Sequence, residues 1–203
     1  MTAISQKQYT LEEYAEFEYS AERRHYFYNG IIAPMGYTSR SHGKIIANLM
    51  RELGILIKEL DYEAYASDRL IYIAACHLSY YPDVVFLKGE EQVQLLKPRM
   101  EATLNPYALV EVLSDTTASK DKVDKWKCYR EISSLQQYFV ISQTEIYIDI
   151  YNRIGDSDEW KNTYVNKAEQ TIRMAEFNIS VEEIYRKIRF PEKPEAIEDA
   201  IVL

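Results

Sequence analysis

The chain has 203 residues, of which 47% are hydrophobic and 28% are charged, and its formal net charge at pH 7 is −8. This length suits one domain with its own core, and the composition excludes a largely disordered chain. The negative charge argues against the diffuse basic surface that binds nucleic acid non-specifically, so any such function needs a local basic patch or a metal ion.

The cysteine content and the apolar runs indicate the cellular compartment. Only two cysteines occur, Cys76 and Cys128, and they imply no disulfide framework. Residues 1–6 are polar and do not resemble a signal peptide. No apolar run approaches the roughly 20 residues that a membrane-spanning helix needs. We therefore expect a cytoplasmic protein without membrane contact.

The first third of the chain predicts a short helix, a hairpin and a long helix. Thr10 and Glu13 have the spacing of a capping box, which begins the first helix. Asn29-Gly30 can take the positive φ angles of a two-residue turn, so residues 25–35 are predicted to form a β-hairpin. Apolar residues recur every three or four positions over residues 41–60, which predicts the longest amphipathic helix.

Four apolar runs follow, and we expect them to form one central sheet: residues 69–74, 80–87, 107–113 and 138–142. A helix predicted over about residues 119–132 separates the last two runs, so strand, helix and strand form a crossover unit. Two alternating segments, residues 146–151 and 160–165, suit an antiparallel hairpin near a sheet edge.

The C-terminal part predicts the end of the domain. Ser180 and Glu183 repeat the capping-box spacing and predict a final short helix. Pro191 and Pro194 then stop regular structure. We expect a single domain over residues 1–190 and a C-terminal tail over residues 191–203.

Two carboxylates interrupt the apolar predicted strands. By the two-residue period of a strand, Asp83 shares a face with Val85, and Glu111 shares a face with Leu109. An ionised carboxylate is costly to bury without a partner or a cation. If the strands pair, both acids can reach one point, and such hard oxygen ligands suit Mg²⁺. Either acid alone could equally cap a loop or pair with an arginine.

Lys125 lies on the predicted crossover helix, on the stripe that carries Tyr129 and Ile132. One interpretation is an exposed ion pair with Asp121, one turn earlier, which contributes about 0.3–0.5 kcal/mol. The other is a lysine that points inward to a metal site. The residue pattern leaves both interpretations open.

His42 and Asp68 are weaker candidates. His42 stands at the start of the long helix, where a histidine either caps or packs the helix or acts as a ligand. Asp68 precedes a predicted strand, where it either supports the acidic pair or bonds its own backbone in a turn. We keep both residues as candidate supporting residues.

Several blocks of sequence together resemble a known family. They are Tyr81-Pro-Asp-Val-Val85, the block Asn105–Ser114, Asp121-Lys-Val-Asp-Lys125 followed by Tyr129, and Ser134-Leu-Gln-Gln-Tyr138. In order and spacing they resemble the Uma-type restriction endonucleases, a branch of the PD-(D/E)XK nuclease superfamily. The resemblance runs through nearly the whole chain, from Tyr9 to Tyr185.

This resemblance implies an α/β fold in which a restriction-endonuclease-like mixed sheet is flanked by helices and preceded by the N-terminal β-hairpin. By position, Asp83 resembles the motif aspartate and Glu111 the second acid. Leu113 stands where the motif lysine is usual, and Lys125 resembles the lysine that this family supplies from the following helix. The implied reaction is hydrolysis of DNA, in which the acids hold Mg²⁺, or Mn²⁺ as a substitute, and the lysine stabilises charge.

The chain also departs from the family pattern. Tyr26 and Ile31, on either side of Asn29-Gly30, and Gln137 stand where such proteins usually carry glutamates. The change at Tyr26 implies the loss of an additional metal ligand or of a group that supports one, unless Glu22 reaches the same place.

Two functions are compatible with these observations. The first is a Mg²⁺-dependent endonuclease that binds DNA, with Asp83, Glu111 and Lys125 as catalytic residues and His42, Asp68 and Asp121 as supporting residues. The second is an inactive nuclease fold that serves as a binding or interaction module, in which the acids hold Arg or Lys partners. We expect a homodimer in either case.

Overall fold

The structure, a computed structural model, describes residues 7–113 and 120–191, with the backbone alone at residues 120–124. Its α-helices are α1 (Leu11–Ser20), α2 (Arg40–Leu56), α3 (Lys120–Tyr129) and α4 (Val181–Ile184), and a 3-10 turn covers Ala74–Cys76. Its strands are β1 (His25–Tyr28), β2 (Ile31–Pro34), β3 (Tyr62–Ala66), β4 (Leu70–Ile73), β5 (Leu78–Tyr80), β6 (Val84–Lys88), β7 (Val93–Lys97), β8 (Met100–Thr103), β9 (Ala108–Leu113), β10 (Gln137–Ser142), β11 (Ile148–Arg153), β12 (Trp160–Val165), β13 (Thr171–Met174) and β14 (Phe177–Ser180).

Within the described residues, the strands form two six-stranded mixed sheets and one two-stranded hairpin. The central sheet has the order β12-β11-β10-β9-β6-β3, and the N-terminal sheet has the order β2-β1-β5-β4-β8-β7. In the central sheet β9 and β10 are parallel, with α3 between them in sequence, as the crossover prediction requires. The predicted α/β fold with a mixed sheet, flanking helices and an N-terminal hairpin is confirmed.

The prediction of a single central sheet from the four apolar runs was wrong. The run over residues 80–87 breaks at Tyr81-Pro82-Asp83, so β5 lies in the N-terminal sheet and β6 in the central sheet. Pro82 has no N–H for a strand ladder and disfavours a regular continuation, which explains the break. The run over residues 69–74 forms β4, which pairs with β5 in the N-terminal sheet.

The two faces of the central sheet pack against different neighbours. One face, with Val84, Phe86 and Val110, packs against α2 and the β13–β14 hairpin. The opposite face, with Val85 and Leu109, packs against α3 and against residues of β4 and β5. Burial on both faces explains why β9 and β10 are apolar without alternation.

The ends of the helices test the predicted caps. The Thr10 hydroxyl accepts from the Glu13 N–H at 3.2 Å, and Glu13 accepts from the Thr10 N–H at 2.9 Å, so the first capping box is confirmed. The second is wrong, because Ser180 is the N-cap of α4 without a side-chain hydrogen bond. The turn at Asn29-Gly30 has φ angles of 46° and 83°, as predicted.

The predicted tail lies outside the described residues beyond Pro191. Over the part of the chain that the structure describes, none of the helices combines the length and apolarity needed to span a bilayer.

The two cysteines form a disulfide bond. Cys76 and Cys128 are bonded to each other, with their Cα atoms 5.7 Å apart, so the expectation that they imply no disulfide framework was wrong.

Candidate functional site

An open pocket lies where the β2–α2 loop, the β5–β6 junction, the end of β9 and α3 meet. We call it the acidic pocket, and its lining includes Ser39, His42, Tyr80, Asp83, Glu111, Leu113 and Lys125. Its volume is about 120 Å³, which is room for several water molecules or for a hydrated ion with a phosphate oxygen. Both predicted acids and the predicted lysine therefore reach one cavity.

The pairing of β6 with β9 brings the two acids together. These strands are antiparallel, with Val84 opposite Val110, so the next pair along the same register is Asp83 and Glu111. Residues opposite each other in an antiparallel pair project from the same face of the sheet. The backbone N–H of Val112 donates to Asp83 Oδ2 at 2.7 Å, which fixes the aspartate against the edge of β9.

His42 holds the other oxygen of Asp83. Its Nε2 lies 2.9 Å from Asp83 Oδ1, and both side chains are largely buried. His42 lies in the first turn of α2. The Ser39 hydroxyl caps this helix by accepting from the His42 N–H at 3.1 Å, which positions the histidine. His42 is thus a partner of the acidic pair as well as a residue of the first helical turn.

Glu111 is held at both of its oxygens by side chains of α3. It is 6% exposed, the Tyr129 hydroxyl donates to Oε1 at 2.7 Å, and Lys125 Nζ lies 3.5 Å from Oε2. Lys125 and Tyr129 are four residues apart, so one stripe of the helix supplies both groups. Burial, followed by the negative charge of Glu111, raises the pKa of Tyr129 well above its usual value, so the hydroxyl remains a donor.

Lys125 lies inside the acidic pocket. Its side chain is only 13% exposed, and its ammonium contacts the Tyr80 hydroxyl and lies 3.8 Å from the centre of the Tyr80 ring. Of the two interpretations of this lysine, the structure shows the inward one. The side chain of Asp121, the partner in the other interpretation, lies outside what the structure describes.

The donor set of the pocket decides which metal ion it could hold. Among the residues that the structure describes, no group of three or more His, Cys, Asp or Glu side chains is placed to hold a metal. A zinc site takes three or four such ligands, whereas Mg²⁺ keeps several waters and binds through one or two carboxylates. Asp83 and Glu111 fit Mg²⁺ or Mn²⁺ in number and type.

The remaining predicted residues lie elsewhere. Asp68 has an 80% exposed side chain and lies 3.5 Å from Arg24 in an ion pair, outside the acidic pocket. Glu22 is exposed and is not among the residues that line the pocket. The Tyr26 ring lies 6.0 Å from the Tyr80 ring, so it packs behind a pocket residue.

The other two positions that depart from the family pattern have structural surroundings. Ile31 is 46% exposed on β2. The Gln137 amide donates to Asn152 Oδ1 and to the Arg173 carbonyl, and accepts from the Ala175 N–H at 2.7 Å. Gln137 therefore ties β10 to β11 and to the β13–β14 hairpin.

Tyr80 and Tyr129 are site residues without a role predicted from the sequence. The four-residue spacing of Lys125 and Tyr129 was a usable signal for the second, because residues at that spacing lie on one helix face. Tyr80 carried no such signal, since its contact with Lys125 joins residues 45 positions apart.

One protein-family model and two curated relatives match most of this chain. The model of the Uma2 family, described as "Putative restriction endonuclease", matches residues 11–182. An uncharacterized protein of Synechocystis sp. is 33% identical over 156 residues, which is 77% of this chain and 87% of that protein. A second uncharacterized Synechocystis protein is 27% identical over 179 residues, which is 88% of this chain and 92% of that protein.

A solved structure has a similar fold. It is the crystal structure of a protein from Anabaena variabilis described as a putative nuclease belonging to DUF820. The TM-score is 0.66 at 15% sequence identity, and the match covers 87% of this chain and 97% of that one.

Proposed function

Because this chain belongs to the Uma2 family and has a nuclease-like fold, we propose that it is a divalent-metal-dependent endonuclease that hydrolyses DNA phosphodiester bonds. The observation that carries the proposal is the convergence of Asp83, Glu111 and Lys125 in the acidic pocket. Two carboxylates and one lysine in an open cavity can bind a metal ion and balance the charge of a phosphate.

Asp83 and Glu111 would hold Mg²⁺ or Mn²⁺. When bound, the ion would polarise the phosphate and lower the pKa of an attacking water. The two acids are suited to this task because neighbouring groups fix them in place, so little reorganisation is needed on binding. Val112 and His42 orient Asp83, while Tyr129 orients Glu111.

Lys125 would stabilise the negative charge that develops on the phosphate during cleavage. The Lys125 side chain is largely buried, and a buried cation acts more strongly on such charge than a cation in solvent because water screens it less. The contact with Tyr80 and the 3.5 Å distance to Glu111 restrict the position of its ammonium. The helix therefore supplies the group that Leu113 cannot supply from the strand.

The net charge of −8 is compatible with a DNA substrate under this proposal. The chain would bind DNA at a metal-bearing pocket and not through a wide basic surface, so affinity without the metal ion would be low. DNA binding would then depend strongly on the divalent ion.

The surroundings of the acids also favour a second function, an interaction module that has lost catalysis. Each of the four carboxylate oxygens has a protein partner: Val112 and His42 for Asp83, and Tyr129 and Lys125 for Glu111. Such a network can stabilise the fold without a metal ion. This function predicts neither binding of Mg²⁺ or Mn²⁺ in calorimetry nor cleavage of DNA.

The test combines plasmid cleavage with metal binding. We expect the wild-type protein to nick or linearise plasmid DNA as Mg²⁺ or Mn²⁺ is titrated, and Asp83→Asn to lose both cleavage and calorimetric metal binding. Lys125→Met should bind the metal ion and cleave about 10²–10³ times more slowly, the usual effect of removing one charge-stabilising group. Lys127→Met is the matched control, because Lys127 is an exposed residue of the same helix. If the wild-type protein binds neither Mg²⁺ nor Mn²⁺, the proposed metal-dependent nuclease function is excluded.

A further inference from the structure

The disulfide between Cys76 and Cys128 joins two segments that are distant in sequence. Cys76 ends the 3-10 turn that precedes β5, and Cys128 lies in the last turn of α3, 52 residues later. The full sequence contains only these two cysteines, so the bond is an isolated link and not part of a set of crosslinks. Disulfides that form in a reducing compartment are usually transient and serve in catalysis or redox sensing.

The same two segments carry a contact of the acidic pocket. Tyr80 is four residues after Cys76, and Lys125 is three residues before Cys128, about one helical turn away. The Tyr80 hydroxyl contacts the Lys125 ammonium. The disulfide therefore links the two segments whose relative position sets this contact.

The two cysteine residues differ in their exposure to solvent. Cys128 is 2% exposed and belongs to the core cluster between α3 and the sheets. Cys76 is half-buried, and its neighbours Ala75 and His77 are exposed. An external thiol can therefore approach the bond from the Cys76 side.

We propose that the Cys76–Cys128 pair is a reversible thiol–disulfide modification site that positions Lys125 and thereby controls cleavage. In the oxidised state the bond holds α3 against β5 and keeps Lys125 beside Tyr80 and Glu111. In the reduced state α3 is held only by non-covalent contacts, so Lys125 leaves the pocket more often. The effect on cleavage rests on the proposed nuclease function, but the effect on Lys125 does not.

The redox step is a two-electron exchange with a dithiol. A thiolate of the dithiol attacks Cys76 Sγ, forms a mixed disulfide and displaces Cys128 Sγ, which takes up a proton. The second thiolate of the dithiol then attacks the first dithiol sulfur, which is bonded to Cys76 in the mixed disulfide. This displaces Cys76 Sγ, which also takes up a proton. The dithiol is oxidised to a disulfide, and the two cysteines are reduced to thiols.

The first experiment measures the bond and the lysine without any cleavage assay. Thiols are counted in the denatured protein before and after treatment with dithiothreitol, and we expect none before and two after. A short pulse of an amine-acylating reagent followed by peptide mass spectrometry then compares Lys125 with the exposed Lys127 of the same helix. We expect reduction to raise the labelling of Lys125 relative to Lys127 by about tenfold, as local opening becomes easier.

The second experiment measures metal-dependent plasmid cleavage by oxidised and reduced protein. We expect reduction to slow cleavage by about 10–10² fold, since a displacement of about 1 Å can have an effect of this size. Reoxidation should restore the rate. Cys76→Ser and Cys76→Ala should cleave at the reduced rate and should not respond to dithiothreitol.

Three results would overturn the proposal: two free thiols in the untreated protein, an unchanged labelling ratio of Lys125 to Lys127 after reduction, or a response to dithiothreitol that persists in both Cys76 variants. Failure of the nuclease function is a different result. In that case neither redox state cleaves DNA, while the labelling of Lys125 still responds to reduction and supports the positioning role.

Discussion

Glu18 on α1 and Glu111 on β9 are both nearly buried, at 4% and 6% exposure. Glu18 accepts from the His25 N–H at 3.1 Å and lies 3.0 Å from His25 Nδ1, in what we call the α1 site, formed by Glu18, His25, Tyr14 and Tyr81. Glu111 has Tyr129 and Lys125 as partners in the acidic pocket. The two sites thus use similar residue types.

The two sites differ in where the partners of each glutamate come from and in their access to solvent. The His25 partner of Glu18 is seven residues away in sequence, and its backbone N–H donates to the carboxylate, so Glu18 closes the connection between α1 and the hairpin. The partners of Glu111 come from another element, and a second acid and a solvent-accessible cavity lie beside it. A buried carboxylate alone is therefore weak evidence for chemistry. A second acid, a lysine and an opening are what distinguish the acidic pocket.

The largest expected difference between the two sites is the effect of neutralising each acid. Glu111→Gln should abolish metal-dependent cleavage, because it removes a metal ligand. Glu18→Gln keeps the shape of the side chain but weakens charge-assisted hydrogen bonds of about 1.5–3 kcal/mol. It should lower the free energy of unfolding in urea and leave the cleavage rate of the folded protein unchanged. Equal loss of cleavage in both variants would remove the distinction.

A smaller difference should appear when one hydroxyl is removed from each site. Tyr129→Phe frees Glu111 Oε1 from its hydrogen bond, and we expect cleavage to slow by about tenfold with weaker metal binding, an effect typical of residues that orient a ligand. Tyr14→Phe is the matched control, because Tyr14 is also fully buried and its hydroxyl donates to the His25 carbonyl at 2.9 Å.

We expect Tyr14→Phe to reduce stability by about 1 kcal/mol, without a change in the calorimetric affinity for Mg²⁺ or in the cleavage rate. A Tyr129→Phe variant that loses stability but binds the metal ion normally would show that Tyr129 has only a structural role.

The last expected difference is absent at neutral pH and appears as a decline of stability at alkaline pH that depends on the α1 site. Burial, followed by the charge of Glu18, raises the pKa of Tyr81 to about 12. An unfolded tyrosine has a pKa of about 10, so the unfolded state loses its proton first and the free energy of unfolding falls as pH rises from about 10 to 12.

Urea unfolding across this pH range measures the decline. Tyr81→Phe should make it shallower, while Tyr37→Phe, at a residue that is 89% exposed, should leave it unchanged. An equal slope in the wild-type protein and the Tyr81→Phe variant would contradict the assignment.

The sequence predicted those parts of the site that depend on local patterns. Asp83 and Glu111 stood out because charged residues interrupted apolar strands, and the register of β6 and β9 then placed them together. The orientation of Lys125 stayed open because both faces of α3 carry charges, and only the packing of the helix on the sheet decides it. The disulfide was missed because a separation of 52 residues contains no information on proximity in space.

The N-terminal sheet was only partly predicted, for a physical reason. Its edge strand β7 exposes Val93 and Leu95, at 42% and 64%, so apolar residues there do not mark a buried face. Apolar periodicity predicts a strand only where the apolar positions are buried, so it does not reveal a strand of this kind. It also joined β5 to β6, although Pro82 was a signal for the break.

The break at Tyr81-Pro82-Asp83 places the pocket at the junction between the two six-stranded sheets. Tyr80, which contacts Lys125, belongs to the N-terminal sheet, whereas Asp83 leads into the central sheet. Two residues that line the cavity are thus held by separate sheets, although they are only three residues apart along the chain. A ligand that contacts both Tyr80 and Asp83 would therefore bridge the two sheets and restrict their relative movement.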